Sequence, residues 1–318
     1  MTSNLRRSME LGLPFVALAA ALLASACLGG DTDGSVRLDD RVDMAAVRTT
    51  PEATPPASTL RIAIAGVMSP SRTLDAYDQL LAYLEQRLGV KVVVDQRSSY
   101  AEVNELLRTG QAGIAFVCSR AYLEGQAQFG MQLLLAPQVN GETTYYSYLI
   151  VPSDSTAASL ADLRGKRFAF SDPLSNSGRL APEYQLQLAS ETPDTFFASH
   201  EYTGSHDNSI LAVADHLVDG AAVDSLVYQY VVARSPEIAQ RTKIIAKWGP
   251  YGIPPLVTSP KLSPELREKI RTALLQMDQS DDGRAALGVL GVDRFVTIDD
   301  HAYDSIRDMM AVLREAGR

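Results

Sequence analysis

The chain has 318 residues, 46% of them hydrophobic and 21% charged, and a formal net charge of -9. This is globular composition with length enough for two lobes, which excludes a fibrous or wholly disordered chain. The acidic balance, without any basic run, excludes a nucleic-acid partner.

The N-terminus reads as an address, not as part of the fold. Arg6 and Arg7 precede an apolar run from Leu11 to Leu23, followed by Ala24-Ser25-Ala26-Cys27. This is the pattern of a secretory signal over 1–26, and the run is too short and too rich in alanine for a membrane span. Small residues before a cysteine resemble the bacterial lipobox, which would make Cys27 the lipidated first residue of the mature protein. Cleavage after Ala26 without lipid is the alternative. Residues 27–58 carry Gly29-Gly30, scattered aspartates and a Thr/Pro-rich tail, and read as a disordered tether. The other cysteine, Cys118, has no disulfide partner if Cys27 carries lipid.

The mature chain then alternates strands and helices. Leu60–Ala65 reads as a strand and 68–72 as a loop. A helix over 74–88 carries Leu74, Tyr77, Leu80, Leu81, Leu84 and Leu88 at helical spacing and ends at Gly89. Val90–Val94 is a second strand, Tyr100–Arg108 a helix stopped by Gly110, and Ala112–Val117 a third strand running into Cys118-Ser119. This order predicts a parallel sheet with helices on both faces and a ligand beyond the carboxyl ends of the strands. The 68–72 loop, the helix start at Tyr100 and Cys118-Ser119 all fall at those ends.

Tyr145–Val151 is a strand leading into a second unit. Ser159–Lys166 is a short helix and turn, and Arg167–Phe170 a buried strand. Asp172-Pro173-Leu174-Ser175-Asn176-Ser177-Gly178 follows, before a helix over 179–188. A strand, a Ser/Asn/Gly turn and a helix start make an anion cradle: the first helical turn has free N–H groups and the positive dipole end, and glycine permits close approach. Plain N-capping accounts for the same residue types. Tyr202–Ser209 is a polar loop opening a helix with Ile210, Leu211, Val213, Ala214, Leu217 and Val218 on one face. Asp219–Asp224 is a strand, and a helix with Val227, Tyr230 and Val231 follows. Lys243–Ala246 and Leu256–Thr258 are strands flanking Gly249–Pro255, and the rest is helical over 263–277, 282–290 and 301–315. The reading is one lobe of 59–148 plus 253–318 and an inserted lobe of 149–252, hinged by two crossing segments.

These residues carry a resemblance. Tyr146–Val151, Asp162-Leu163-Arg164-Gly165-Lys166, Asp172-Pro173-x-Ser175-x-Ser177-Gly178, Ser205-His206-x-Asn208-Ser209 and Val218–Asp224, in that order, resemble the phosphate/phosphite/phosphonate-binding proteins of ABC transporters. The resemblance covers residue 60 to the C-terminus. It implies an α/β, two-lobed type II periplasmic binding protein: each lobe a mixed, mostly parallel sheet flanked by helices, with a two-segment hinge. It implies that Ser175, Asn176, Ser177 and Gly178 hold an oxyanion, with Asn176 where the family has threonine, and that His206, Tyr100 and Tyr145 join them. His206 alone would read as a solvated or capping residue. Asp224 either accepts a proton-bearing ligand oxygen, orients His206 or caps the next helix.

Aminophosphonate binders of the family place carboxylates at about Leu226 and Pro254. Neither residue ionises here, and an unpaired buried ammonium costs several kcal/mol. The expected ligand is therefore phosphate, phosphite or a phosphonate without an amino group, delivered to an ABC permease. Cys118-Ser119 supports a second reading, a periplasmic arsenite sensor that holds the metalloid on Cys118 and signals to a histidine kinase. Ser119 and Arg120 equally suit a hard oxyanion. His206 with Asp207 or Asp224 would supply part of a hydrolase triad, but no Gly-x-Ser-x-Gly elbow is present. The expectation is a monomeric, membrane-anchored periplasmic binding protein with no catalytic residues, cofactor or metal.

Overall fold

The computed structural model describes residues 59–67 and 70–317. The signal, Cys27, the tether and residues 68–69 of the predicted loop lie outside the described residues. No helix among the described residues is long and apolar enough to cross a membrane.

The chain opens with β1 (Thr59–Ile64), α1 (Pro70–Leu88), β2 (Lys91–Gln96), α2 (Tyr100–Thr109), β3 (Ile114–Phe116), α3 (Ser119–Phe129) and β4 (Gln132–Gln138). It continues with β5 (Thr144–Pro152), β6 (Arg167–Phe170), α4 (Ala181–Leu188), α5 (Pro193–Phe196), β7 (Ser199–Tyr202), α6 (His206–Ala214), β8 (Gly220–Asp224), α7 (Ser225–Arg234), α8 (Pro236–Arg241) and β9 (Thr242–Gly252). It closes with β10 (Leu256–Thr258), α9 (Pro264–Leu275), α10 (Asp281–Leu290), β11 (Arg294–Val296) and α11 (Asp304–Glu315).

Two sheets result, ordered β11-β4-β10-β3-β1-β2 and β7-β6-β8-β5-β9. Both are mixed. In the first, β1 runs parallel to β2 and β3, while β10 enters antiparallel between β3 and β4. In the second, β6, β7 and β8 are parallel and β5 is antiparallel to β8 and β9. The purely parallel pattern read from the opening β-α-β-α-β order thus holds for three neighbouring strands, and the reversed strands β10 and β5 close the rest. Each reversed strand directly follows a crossing between sheets, so its direction is set by where the chain re-enters. The crossings, 139–143 and 253–255, are tied together by the Ile253 N–H donating to the Thr143 carbonyl at 3.0 Å.

Several sequence readings need correction. The segment after Ser119, left unassigned, holds α3 and β4. The C-terminal region is not all helical, because Phe295 pairs with Pro137 through β11. Helix α1 starts at Pro70, not 74, and β9 runs on to Gly252, through half of the predicted flanking loop. Leu217 lies outside α6 and is 64% exposed, because the helix ends at Ala214.

Local signals explain the elements nearest the cleft. Ser99 and Glu102 form a reciprocal capping box that starts α2 at Tyr100, and Gly110, at φ 78°, ends it in the left-handed conformation. Ser205 caps α6 and Asp224 caps α7. One packed cluster crosses between the lobes: Tyr100, Cys118 and Tyr303 from the first meet Leu180 and Ala181 from the second, with Tyr145 and Tyr251 from the crossing strands. The remaining clusters cover the first sheet and the two faces of the second.

Candidate functional site

The site begins where β6 ends. After Phe170 the chain turns through Ser171–Ser175 and enters a π-helical turn, Asn176–Leu180, that leads into α4. Such i→i+5 turns are rare, and frequent at functional sites. The Ser175 hydroxyl accepts the Gly178 N–H at 2.9 Å, and the Ser147 hydroxyl of β5 donates to the Ser177 carbonyl at 2.7 Å. A Cβ on Gly178 would lie 1.9 Å from Ser171 Oγ and 2.9 Å from His206 Cε1. Glycine is therefore required for the turn to reach the His206 ring.

His206 opens α6 and is fully buried. Its Nδ1 accepts the Asp224 backbone N–H at 3.1 Å. The proton of the neutral ring therefore sits on Nε2, which points at Ser175 Oγ, 3.4 Å away. Burial lowers the pKa to about 4, so the ring is a neutral N–H donor at physiological pH. Because Nε2 already carries the proton, it cannot act as a base toward Ser175, and Nδ1 faces an amide, not a carboxylate. The hydrolase triad does not form. Of the three roles open to Asp224, the geometry shows capping: one carboxylate oxygen accepts the Leu226 and Val227 N–H groups at 2.7 and 3.3 Å. It orients His206 only through its backbone. Burial pushes its carboxyl up to about 7.

The first lobe supplies the opposite wall. Tyr100, at the start of α2, is buried, and its N–H donates to the Asp172 carboxylate across the cleft at 3.1 Å. Burial raises the Tyr100 phenol well above its ordinary value, with Cys118, Asp172, Asp224 and Tyr145 adding to it. The Asn176 side-chain amide donates to the Tyr145 hydroxyl at 2.9 Å, and the Asn176 N–H donates to Cys118 Sγ at 3.3 Å. The His206 N–H meets the Val67 carbonyl at 3.1 Å, and Arg120 reaches the Pro173 carbonyl at 3.2 Å. The structure thus brings Ser175, Asn176, Ser177, Gly178, His206, Asp224, Tyr100, Tyr145 and Cys118 to one seam.

Ser119 lies beside the Tyr145 hydroxyl but is committed to the hinge. Its hydroxyl donates to the Gly252 carbonyl at 2.6 Å and so holds the hinge strand. Arg120 is likewise committed, sharing the Pro173 carbonyl with Arg179. Cys118 Sγ accepts the Asn176 N–H and burial pushes the thiol up to about 11, so the arsenite reading gains no support.

Among the described residues, Tyr100 Oη, Ser171 Oγ, Ser177 Oγ and Asn176 Oδ1 are buried at this seam without a hydrogen-bond partner. A buried polar group left unpaired costs about 1–3 kcal/mol, and native proteins hold few of them. Three of the four are hydroxyls able to donate. Ser171 was missed from the sequence, as was the support Ser147 gives to Ser177. The signal for Ser171 was its position, directly after a strand and ahead of a turn whose glycine must lie against it.

The phosphonate periplasmic substrate-binding protein model of ABC transporters matches residues 62–303. The chain belongs to that family. The phosphate-import protein PhnD of Mycolicibacterium smegmatis is 29% identical over 271 residues, covering 82% of this chain and 80% of that relative. The binding component of an ABC phosphonate transporter from Pseudomonas aeruginosa superposes with TM-score 0.75 at 25% identity, covering 79% of this chain and 85% of its own. PhnD1 of Prochlorococcus marinus, solved with methylphosphonate, superposes with TM-score 0.72 at 19% identity over 81% of this chain and 98% of its own. The fold is that of a two-lobed type II periplasmic binding protein. The family places this chain in the periplasm as the non-enzymatic substrate-binding protein of a phosphonate-type ABC transporter, between a small ligand and a permease.

Proposed function

We propose that the protein captures phosphate, phosphite or a phosphonate without an amino group between a lobe of 59–148 plus 253–318 and a lobe of 149–252. The observation that carries this reading is the group of unpartnered buried polar atoms at the seam, Tyr100 Oη, Ser171 Oγ, Ser177 Oγ and Asn176 Oδ1. In this reading the hydroxyls of Ser171, Ser177 and Tyr100 donate to ligand oxygens, with the amide groups of the turn and the neutral His206 ring beside them. Such charge-assisted bonds strengthen as the lobes exclude water. Asp224, with its carboxyl near neutral, accepts from an oxyanion that keeps a proton. Leu226 and Pro254, which resemblance pairs with the carboxylates of aminophosphonate binders, both line one apolar cavity beside the cradle and offer an ammonium nothing. We further assign lipid attachment at Cys27 and action as a monomer.

Titration calorimetry and thermal melting with phosphate, phosphite, methylphosphonate and 2-aminoethylphosphonate test the reading. A ligand at about 100 times its Kd stabilises the fold by about 2.7 kcal/mol. The first three are expected to bind and the fourth to fail. If the aminophosphonate binds best, the assignment of Leu226 and Pro254 is wrong. If none binds, the oxyanion site is wrong.

A further inference from the structure

The two lobes also meet through atoms that the ligand has no use for. Asp172-Pro173, at the head of the turn that carries the cradle, is gripped from the first lobe at two points. One Asp172 carboxylate oxygen accepts the Leu174 N–H at 2.7 Å, within its own lobe; the other accepts the Tyr100 N–H of the opposite lobe at 3.1 Å. The Pro173 carbonyl accepts from the Arg120 guanidinium of the opposite lobe at 3.2 Å.

Both contacts follow from local chemistry. The capping box of α2 satisfies the Glu102 N–H through the Ser99 hydroxyl and leaves the Tyr100 N–H, at the positive end of the helix dipole, for an outside acceptor. A carboxylate suits that place. Arg179, from the second lobe, donates to the same Pro173 carbonyl at 3.1 Å and pairs with Glu183 at 2.9 Å. Arg120 therefore adds a second donor to a carbonyl that is satisfied without it, with Glu124 4.0 Å from its own Nε. Arg120, Glu124, Arg179 and Glu183 line one groove, and Tyr100, Ser171, Asn176 and Ser177 are not among its walls.

The Tyr100–Asp172 and Arg120–Pro173 bonds exist only while the lobes are together. A bond made only in the closed state strengthens the binding of every ligand by one common factor. We propose that Asp172-Pro173 is a clasp, held by the Tyr100 N–H and by Arg120, that sets how long the closed state lasts and not which oxyanion is chosen. Asp172 and Arg120 are then positioning residues that touch no ligand. The inference rests on the oxyanion reading above.

The test compares the full wild-type chain with Asp172→Asn and Arg120→Met. Titration calorimetry with phosphate, phosphite and methylphosphonate gives affinities. Stopped-flow fluorescence of Trp248, the chain's one tryptophan, which packs against the cluster shared by the lobes, gives the rates. Asp172→Asn keeps an oxygen for Leu174 and sets an amide donor against the Tyr100 N–H. Arg120→Met leaves the Pro173 carbonyl bonded to Arg179 and lies outside the cradle turn, so the test does not depend on folding of the Asp172 variant. Asp172→Asn is expected to weaken all three ligands about tenfold or more, and Arg120→Met about three- to tenfold, with one factor per variant and the loss in the dissociation rate. Three results overturn the inference: unchanged affinity in either variant, losses that differ between ligands and so mark a ligand contact, or losses confined to the association rate. If the wild type binds and the variants bind as tightly, only the clasp falls. If the wild type binds none of the three, the oxyanion reading falls and the clasp with it.

Discussion

The two faces of the cleft draw on similar small polar residues and use them differently. On the first lobe, Ser119 spends its proton on the Gly252 carbonyl, and Cys118 accepts from Asn176. On the second, Ser171 and Ser177 keep hydroxyls that no protein group satisfies. One face commits its serine to the hinge and leaves only the Tyr100 hydroxyl unpartnered; the other leaves two serine hydroxyls unpartnered. A buried serine is therefore no sign of a binding site until its partner is known.

The sharpest way to break that contrast is Gly178→Ala, since the added methyl falls 1.9 Å from Ser171 Oγ. Ligand affinity in calorimetry should fall more than about a hundredfold, because the turn must move off His206 and more than one bond to the ligand is lost. Ser177→Ala and Ser119→Ala then sharpen it. A hydrogen bond to a charged ligand contributes about 1.5–3 kcal/mol, so Ser177→Ala should weaken phosphate or methylphosphonate about 10- to 150-fold. Ser119→Ala should instead lower stability in urea by about 1–3 kcal/mol, leaving the Gly252 carbonyl unpaired, and shift affinity less than about threefold. Equal affinity losses in the two variants would erase the distinction between the faces.

Acidity separates two groups within the second lobe. Asp224 is held near 7 when folded, against an ordinary 3.8. Between those values the folded chain binds the extra proton, so this group's contribution to stability falls as pH rises. His206 is held near 4 against an ordinary 6.5, so the unfolded chain binds the extra proton there and stability rises with pH. The two oppose each other over roughly pH 4 to 6.5. Asp224→Asn keeps an oxygen for the α7 cap and leaves His206 opposed in this lobe only by Asp172, whose carboxyl burial also raises. The variant's stability should climb across that window by at most about 1.4 kcal/mol per pH unit. His206→Gln should fall across it. Urea melts at pH 4.5 and 6.5 check both signs. The smallest effect is expected of Cys118→Ser: a hydroxyl also accepts the Asn176 N–H, and affinity should move less than about fivefold.

Much of the architecture was legible because it depends on local patterns. The alternation of strands and helices, the α2 start at Ser99-Tyr100 and the strand–turn–helix at 167–188 all carry caps, glycines or apolar periods that act over a few residues. What failed depends on long-range pairing. β11 is three residues long, and its pairing with β4, more than 150 residues away, leaves no local mark. β4 itself, Gln-Leu-Leu-Leu-Ala-Pro-Gln, contains a proline that counts against a central strand. In the site, the turn residues were legible as donors, but their satisfaction was not. Ser119 and Ser177 differ only in whether a carbonyl from a distant strand lies within reach, and no pattern of neighbours encodes that.

The proposed ligand capture depends on hydroxyls that the fold leaves without partners, and Ser177 is its most direct test. Melting curves of the wild type and Ser177→Ala should be recorded with and without methylphosphonate. Without ligand, the variant should melt at or above the wild type, since removing an unpaired buried hydroxyl costs the fold nothing; with ligand, its upward shift should be largely gone. A variant that melts lower on its own and keeps the full ligand shift would contradict the account.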